Sequence, residues 1–325
     1  MSNNLTCISF AAGLGGMSKG AKIAGFSSIY QSDIWELTKK VFEFNKEQKI
    51  LLPDNYCFSE GVYQAGEEGP NKINYGNMYN VRLETINNSL AKHGYSTLNL
   101  GDLALMTSGS PCQDMSRVNP YRHPSGTRNL LMVQQLRIVK KLMPMVTILE
   151  QVDSFFDAPM TPFKESFFRA LRQIEGDYYW AYDILNAMDY GSRQNRKRVI
   201  FILIRKDLGV PSKFFPLPTT KPAQPCQFVN NLLPHIVGYT TKDGYKPANQ
   251  VFGTMTSGLI RVLTTEGERR SMTIKERQVL CNLEDLNLDV PSVTETDKCE
   301  MLGNMVQIPL MADLCKHIRK EILKA

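Results

Sequence analysis

The feature that most limits the fold is a strand, a glycine-rich loop, a helix and a second strand in close succession near the start. An apolar run at residues 5–10 indicates the first strand, and residues 11–16 form the loop. A helical segment then leads to a second strand at 27–32. This order is typical of an α/β protein with a parallel sheet. Further strands are predicted at residues 103–107, 146–149, 181–185 and 199–204.

The amino-acid composition changes after residue 206, where prolines interrupt the chain and Gly, Thr and Asn become frequent. We therefore predict a first domain over residues 1–206 and a small, mostly irregular or β domain over 207–268. Helical periodicity then returns, so residues 269–325 are predicted to rejoin the first domain, with a helix at 305–323. The polar, aperiodic stretch 46–95 is predicted to be an insertion between two strands.

Charge and cysteine usage exclude several classes of protein. The net charge of +6, from 38 Lys and Arg against 32 Asp and Glu, fits a polyanionic partner without requiring one. The cysteines are odd in number, scattered and without a CxxC pair, which argues against a zinc site and an even disulfide framework. Without a signal peptide or a long apolar run, we expect a soluble protein of a reducing cytoplasm. The cysteines are Cys7, Cys57, Cys112, Cys226, Cys281, Cys299 and Cys315.

The glycine-rich loop and two aspartates are candidates for binding a nucleotide-like ligand. Gly13 and Gly15 would let the backbone approach the ligand, at the start of a helix with free amides. Asp33 follows the second strand, where a carboxylate can accept hydrogen bonds from both hydroxyls of a ribose. Asp102 could accept from an adenine amino group. Each has a plainer alternative, a tight turn for the loop or a solvated carboxylate for Asp102.

The sharpest feature of the sequence is a cysteine in a loop directly after a predicted strand. Cys112, within Gly109-Ser110-Pro111-Cys112-Gln113, stands where a nucleophile would be exposed, whereas a structural cysteine would more often lie inside the strand.

An acidic residue and a basic run complete the candidate chemistry. Glu150 ends another strand at the same predicted edge of the sheet. The run 194–198 is predicted to be a turn whose Arg196 and Arg198 could grip a base and a phosphate. On its own, such a basic run would more often be part of the solvent-exposed surface.

Taken together and in this order, these segments resemble the cytosine carbon-5 DNA methyltransferase family, of the bacterial or phage type. The resemblance spans nearly the whole chain and rests on several short motifs. They are the glycine loop 10–16, Asp33, Gly101-Asp102, Pro111-Cys112-Gln113, Glu150 with Val152, Gln194 with Arg196 and Arg198, Arg270 with Thr273 and Glu276, and Leu302-Gly303-Asn304 with Val306.

The resemblance implies a Rossmann-like S-adenosylmethionine-dependent methyltransferase domain with a small target-recognition domain. It implies that the Cys112 thiolate adds to carbon 6 of a flipped cytosine and makes carbon 5 nucleophilic. Glu150 would then bind ring nitrogen 3 and the exocyclic amine, and Arg198 would donate to the ring carbonyl. Arg196 would support a phosphate or the cysteine loop.

The resemblance also implies the ligands. We expect S-adenosylmethionine as donor, S-adenosylhomocysteine as product and no metal, with double-stranded DNA as partner, no membrane and a monomeric protein. The expected donor-binding residues are Phe10, Gly13, Gly15, Asp33, Ile34, Asp102, Leu103, Pro111, Asn304 and Val306. The expected DNA-binding residues are Ser116, Arg117, Arg122, Arg128, Lys242 and Tyr245.

Some features depart from the family pattern, and rival functions stay open at this stage. Gln151 stands where the family usually has Asn, the recognition region is short, and the insertion 46–95 is long. One branch of the family modifies tRNA with similar residues, so tRNA is an alternative substrate. A catalytically inactive DNA-binding homologue is less consistent with Cys112 and Glu150, and a nucleotide-dependent oxidoreductase would explain neither.

Overall fold

The chain folds around a central six-stranded sheet with the strand order β2-β1-β3-β4-β6-β5. The computed structural model describes residues 5–48, 78, 81–92, 94–218, 232–241, 244–247 and 252–325. The strands are β1 (Thr6–Phe10), β2 (Ser27–Ser32), β3 (Leu105–Gly109), β4 (Val146–Val152), β5 (Tyr178–Asn186) and β6 (Lys197–Arg205). The α/β architecture predicted from the alternating pattern is therefore confirmed.

The direction of β6 differs from the expected all-parallel sheet. β1 pairs in parallel with β2 and β3, and β3 with β4, but β6 pairs antiparallel with both β4 and β5. The short connection between β5 and β6 explains this, since a parallel pair needs a long crossover. The basic run 194–198 is therefore not wholly a turn, because Lys197 and Arg198 already lie in β6. The amino end of β6 shares an edge with the carboxyl ends of the other strands.

Helices cover both faces of this sheet. The α-helices of the described residues, in chain order, are α1 (Gly16–Ile23), α2 (Glu36–Glu47), α3 (Leu83–Lys92), α4 (Leu130–Leu142), α5 (Thr161–Arg172), α6 (Ile274–Leu280), α7 (Glu295–Asn304) and α8 (Ile308–His317). Apolar side chains of α3, α4 and α5 form a core with one face, and those of α1 and α8 with the other. In the described part of the chain, no helix has the length and apolarity that crossing a membrane requires.

The carboxyl-terminal helix begins later than predicted but ends close to the predicted residue, because α8 continues as a π-helical turn over Ile318–Ile322. The periodicity indicated a helix over residues 305–323, but Met305 is extended and α8 begins at Ile308. Pro309 occupies the first turn of α8, where its missing amide costs nothing. The extended residues between α7 and α8 leave Asn304 and Val306 at the edge of the sheet.

A second, four-stranded sheet begins in the segment 207–268, where the sequence predicted a small domain, and its last strand lies just beyond that segment. Its strands are β7 (Ile236–Thr241), β8 (Gly244–Pro247), β9 (Arg261–Thr264) and β10 (Arg269–Ser271), in the order β10-β9-β7-β8 with antiparallel pairing. The boundaries 1–206, 207–268 and 269–325 stay a prediction, as does the insertion 46–95, of which only the ends and Met78 lie among the described residues.

Close packing of α1 against the chain's last helix brings the two termini of the sequence together. Gly20 lies so near α8 that a Cβ placed on it would sit 2.7 Å from the Cβ of Met311. A Cβ on Gly16 would collide with the backbone carbonyl oxygen of Val306. Glycine at these positions thus permits the contact that brings Val306 to the glycine loop.

We predict that Gly16→Ala lowers the free energy of unfolding by about 1–3 kcal/mol, the usual cost of overpacking a close contact. The backbone oxygen of Val306 cannot move aside without shifting α8. Urea unfolding followed by circular dichroism would measure the loss. Gly176→Ala is the matched control, because no atom lies within 4 Å of its added Cβ. Equal stability of the two variants would contradict the prediction.

Candidate active site

The loops at one edge of the large sheet enclose a cavity of about 620 Å³. They follow β1, β2 and β3, and the end of β4, the start of β6 and the α7–α8 connection close the remaining sides. In α/β sheets this edge is the usual place for ligands. Among the expected site residues, those lining the cavity are Gly13, Asp33, Ile34, Pro111, Cys112, Arg128, Glu150, Arg196, Arg198, Asn304 and Val306.

Asp33 organises the side of the cavity nearest the glycine loop. Its carboxylate accepts hydrogen bonds from the backbone amides of Gly13 (2.7 Å) and Trp35 (2.8 Å). Burial raises the pKa of Asp33, and these amides act in the opposite direction. Gly13 has a positive φ of 52°, and a Cβ there would meet open space. The loop therefore presents its backbone to the cavity.

An apolar slot opens beside Asp33. It is lined by Ala11, Ser32, Asp33, Ile34, Met78, Pro111 and Leu131. Sequence reasoning found Ile34 and Pro111 but missed Met78, which lies within the aperiodic stretch 46–95. It also missed Leu131, whose position in α4 looked like ordinary core. An apolar slot beside a carboxylate suits the apolar part of a ligand whose polar part reaches Asp33.

Four expected donor-binding residues do not line the cavity. Phe10 is buried against Tyr30, with ring centroids 6.1 Å apart. Gly15 immediately precedes α1, and neither residue faces the cavity. Asp102 and Leu103 were predicted wrongly. They precede β3, whose carboxyl end bears Cys112, so they lie at the opposite edge of the sheet. The Asp102 carboxylate accepts hydrogen bonds from Asn99, and Leu103 is part of the core.

Cys112 lies in the loop after β3, partly exposed to the cavity. Its carbonyl oxygen accepts hydrogen bonds from the amides of Met115 (2.9 Å) and Ser116 (2.8 Å), which closes a tight turn. Burial raises the pKa of the Cys112 thiol, and the positive charge of Arg198 opposes that shift. The side chain is thus placed as a nucleophile that benefits from a nearby cation.

Glu150 and Arg198 form an ion pair beside Cys112. The Arg198 Nε lies 2.8 Å from Glu150 Oε1, and both side chains are only 9% exposed. The strand register explains the contact, because Arg198 pairs with Val152 across β4 and β6. Glu150, two residues earlier on the same face, is its diagonal neighbour. Such a pair offers a hydrogen-bond acceptor and a donor side by side in a largely dehydrated site.

Arg196 has a different position from the one expected. It was predicted to support a phosphate or the cysteine loop, but its guanidinium donates to the carbonyl oxygens of Met255 (3.0 Å) and Gly303 (2.9 Å). Burial lowers its pKa to about 9. The physical reason is that Arg196 precedes β6 and points beneath the cavity, where it joins the 252–258 segment to α7. Arg196 therefore stabilises the contact between these two segments, and part of its side chain lines the cavity.

The arginines of the cysteine loop are paired with carboxylates. Arg117 binds Asp153 and Asp157, Arg122 binds Asp157, and Arg128 binds Asp114. None of the three guanidiniums is therefore a free phosphate ligand in this conformation.

The remaining expected DNA contacts are scattered. Ser116 lies in the turn that follows Cys112, half-buried. Tyr245 is exposed on β8 and does not line the cavity. Lys242 lies outside the described residues. In the part of the chain that the structure covers, no cluster of three or more His, Cys, Asp or Glu side chains could hold a metal ion.

Comparison with known proteins identifies the family. A model of the C-5 cytosine-specific DNA methylase family matches residues 72–256, more than half of the chain. The chain belongs to this family. It is 25% identical over 218 residues to the Type II methyltransferase M.FnuDI of Fusobacterium nucleatum, a match that covers 66% of this chain and 51% of the relative. The chain thus spans about half the length of such curated relatives.

Other relatives match at full length. The Type II methyltransferase M2.ScrFI of Lactococcus lactis subsp. cremoris is 25% identical, over 93% of this chain and 90% of its own. The solved structure of the Entamoeba histolytica methyltransferase EhMeth superposes with a TM-score of 0.62 at 14% identity, covering 97% of this chain and 98% of that one. This likeness confirms the fold expected from the family.

We predict that the reactivity of Cys112 increases with pH beyond the range of an ordinary thiol. Only the thiolate reacts with iodoacetamide, and burial raises the pKa of Cys112, so the thiolate forms at higher pH. Arg198→Met removes the main opposing charge, so it should slow the alkylation at pH values below the pKa of the variant's thiol. Peptide mass spectrometry would follow Cys112 in the free protein. Faster alkylation of Arg198→Met would show that the sign is wrong.

Proposed function

We propose that this protein is a DNA (cytosine-5-)-methyltransferase that transfers a methyl group from S-adenosylmethionine to carbon 5 of cytosine in duplex DNA. The observation that carries the proposal is the convergence of Cys112, Glu150 and Arg198 in one cavity, next to an apolar slot and Asp33. This arrangement would supply a nucleophile, an acceptor and a donor for the cytosine ring, and an adjoining apolar slot for part of the methyl donor.

The residues of the slot fit S-adenosylmethionine. Ile34, Met78 and Leu131 would contact the adenine, and Asp33 would accept hydrogen bonds from the ribose hydroxyls. The open backbone at Gly13, with Asn304 and Val306 opposite, would hold the methionine part. When bound, this donor supplies a methyl group on a positively charged sulfur. The carboxylates on this side of the cavity suit hydroxyl and ammonium groups better than the pyrophosphate of a dinucleotide.

The cytosine chemistry depends on Cys112. Its thiolate would add to carbon 6, which pushes electron density toward carbon 5 and nitrogen 3. Glu150, when protonated, would donate to nitrogen 3 while its other oxygen accepts from the exocyclic amine, and Arg198 would donate to the ring carbonyl. Once carbon 5 has gained the methyl group, transfer of the carbon-5 proton to solvent would leave its electron pair to re-form the 5,6 double bond. The bond between carbon 6 and sulfur would then break and release the Cys112 thiolate.

The depth of Cys112 requires that the target base leave the helix. A thiol inside the cavity cannot reach carbon 6 of a stacked base, so we propose that the nucleotide is flipped out, at a cost of about a few kcal/mol. Ser116, in the turn after Cys112, and Tyr245 on the small sheet are proposed to contact the backbone of the duplex. Proteins that act on duplex DNA derive most of their affinity from such backbone contacts.

We predict that Cys112→Ala abolishes methyl transfer, lowering the rate by several orders of magnitude, because the covalent addition to carbon 6 is lost. Labelled S-adenosylmethionine would be incubated with duplex DNA and, separately, with tRNA, and base-resolution mapping would locate the product. Wild-type protein should also be trapped on DNA containing 5-fluorocytosine. Incorporation into tRNA alone would reject the DNA proposal, and unchanged activity of Cys112→Ala would reject the mechanism.

We predict that Asp33→Ala weakens binding of S-adenosylmethionine by about 10- to 100-fold, since each hydrogen bond to a charged group contributes about 1.5–3 kcal/mol. Titration calorimetry on the DNA-free protein would measure the dissociation constant. Asp102→Ala is the matched control, because Asp102 lies at the opposite edge of the sheet. A larger effect of Asp102→Ala than of Asp33→Ala would place the donor elsewhere.

A further inference from the structure

One face of α7 contributes a carboxylate to the wall of the cavity. Asp297, Glu300, Met301 and Asn304 all line the cavity. Their spacing of three and four residues places them on the same face of the helix. Glu300 is half-buried there and lies one helical turn before Asn304. The part of the wall that includes Asn304 therefore also presents an acidic side chain.

Glu300 differs from the other carboxylates of the cavity, because each of those has a partner. Glu150 forms its ion pair with an arginine, and Asp33 accepts hydrogen bonds from two backbone amides. Asp297 accepts from the amide (3.0 Å) and the hydroxyl (2.6 Å) of the threonine that caps α7. Within the described part of the chain, Glu300 forms no hydrogen bond or ion pair. A half-buried carboxylate in this state is stabilised when a ligand donates to it.

An indole ring lines the cavity as well. Trp35 immediately precedes α2 and packs against the apolar core to which Met301 of α7 belongs. The face of an indole ring attracts cations, as does a carboxylate. The arginines of the cavity wall donate to other carboxylates or to carbonyl oxygens, and they are Arg128, Arg196 and Arg198. The free carboxylate and the indole thus favour a positively charged group of the ligand.

We propose that Glu300 binds the α-ammonium group of the methyl donor and thereby selects donors that carry this group. The inference rests on the proposed function, which holds the methionine part between Gly13 and Asn304. One helical turn advances by about 5.4 Å, so the Glu300 carboxylate can reach a group held beside Asn304. The ammonium can donate hydrogen bonds to Glu300, whereas the carboxylate of the methionine part would be repelled. The sulfonium is positively charged but has no hydrogen to donate.

The first test measures binding without DNA and without methyl transfer. Titration calorimetry compares wild type with Glu300→Gln, and the probe is S-adenosylhomocysteine, which has the ammonium but no charge on sulfur. The variant should bind this probe at least about tenfold more weakly, because it loses a hydrogen bond between charged groups. Unchanged affinity would overturn the proposal. Weaker binding of S-adenosylmethionine alone would also overturn it, because the contact would then be with the sulfonium.

The second test removes the ammonium from the ligand. The probe is 5′-S-(3-carboxypropyl)-5′-thioadenosine, which is S-adenosylhomocysteine without its amino group. Wild type should bind it at least about tenfold more weakly than S-adenosylhomocysteine. Glu300→Gln should bind it no more than about twofold more weakly than wild type does, because the two changes remove the same contact. If Glu300→Gln weakened both ligands equally, the substitution would act through the protein and not through the ammonium, and the proposal would be overturned.

Glu295→Gln is the matched control, because Glu295 carries the same charge on the same helix, is 73% exposed and does not line the cavity. Its affinity for S-adenosylhomocysteine should stay within about twofold of wild type, since solvent screens such a charge. Equal losses in both variants would assign the effect to the overall charge of α7 and reject the proposal. Circular dichroism verifies the fold of each variant. If wild type binds neither S-adenosyl ligand, the proposed function fails together with this inference, whereas an unaffected Glu300→Gln rejects the inference alone.

Discussion

The antiparallel pairing of β6 with β4 is the constraint on which the site depends. It places Arg198 opposite Val152, so that its guanidinium lies diagonal to Glu150 and pairs with it at 2.8 Å. A parallel β6 would begin at the other edge of the sheet and carry Arg198 away from Cys112. Glu150, Arg198 and Cys112 meet because a single strand runs opposite to its neighbours.

The side of the cavity formed by the glycine loop depends on a second contact, between α1 and the segment that connects α7 to α8. Gly16 allows the carbonyl of Val306 to approach the first helix, and this brings Asn304 beside the glycine loop. Residues almost 300 positions apart in the sequence thus form opposite walls of one cavity. Buried Arg196 supports the same region, since it donates to the carbonyl of Gly303 at 2.9 Å.

Much of the fold and part of the site could be predicted from local sequence. Strands such as β1 and β4 are short apolar runs, and Asp33 and Cys112 directly follow predicted strands. Hydrophobic periodicity carries no information on strand direction, however, so the reversal of β6 was missed. Asp102 was misplaced for a related reason, because a Gly-Asp pair does not show which end of a strand faces the ligand. Met78 was missed because nothing local distinguishes it within an aperiodic stretch.

The replacement of the family's Asn by Gln151 has a structural consequence for the nucleophile. The longer side chain folds back, so that Gln151 Oε1 accepts from the amide of Val152 at 2.8 Å while its Nε2 donates to Ser110 Oγ at 3.0 Å. Ser110 precedes Cys112 in the same loop, and Arg117, which pairs with Asp153 and Asp157, follows it. The end of β4 and the residues that follow it therefore contact the loop on both sides of the thiol. Because these contacts come from the strand that bears Glu150 and from the residues directly after it, the loop that carries Cys112 cannot move away from Glu150 without breaking them.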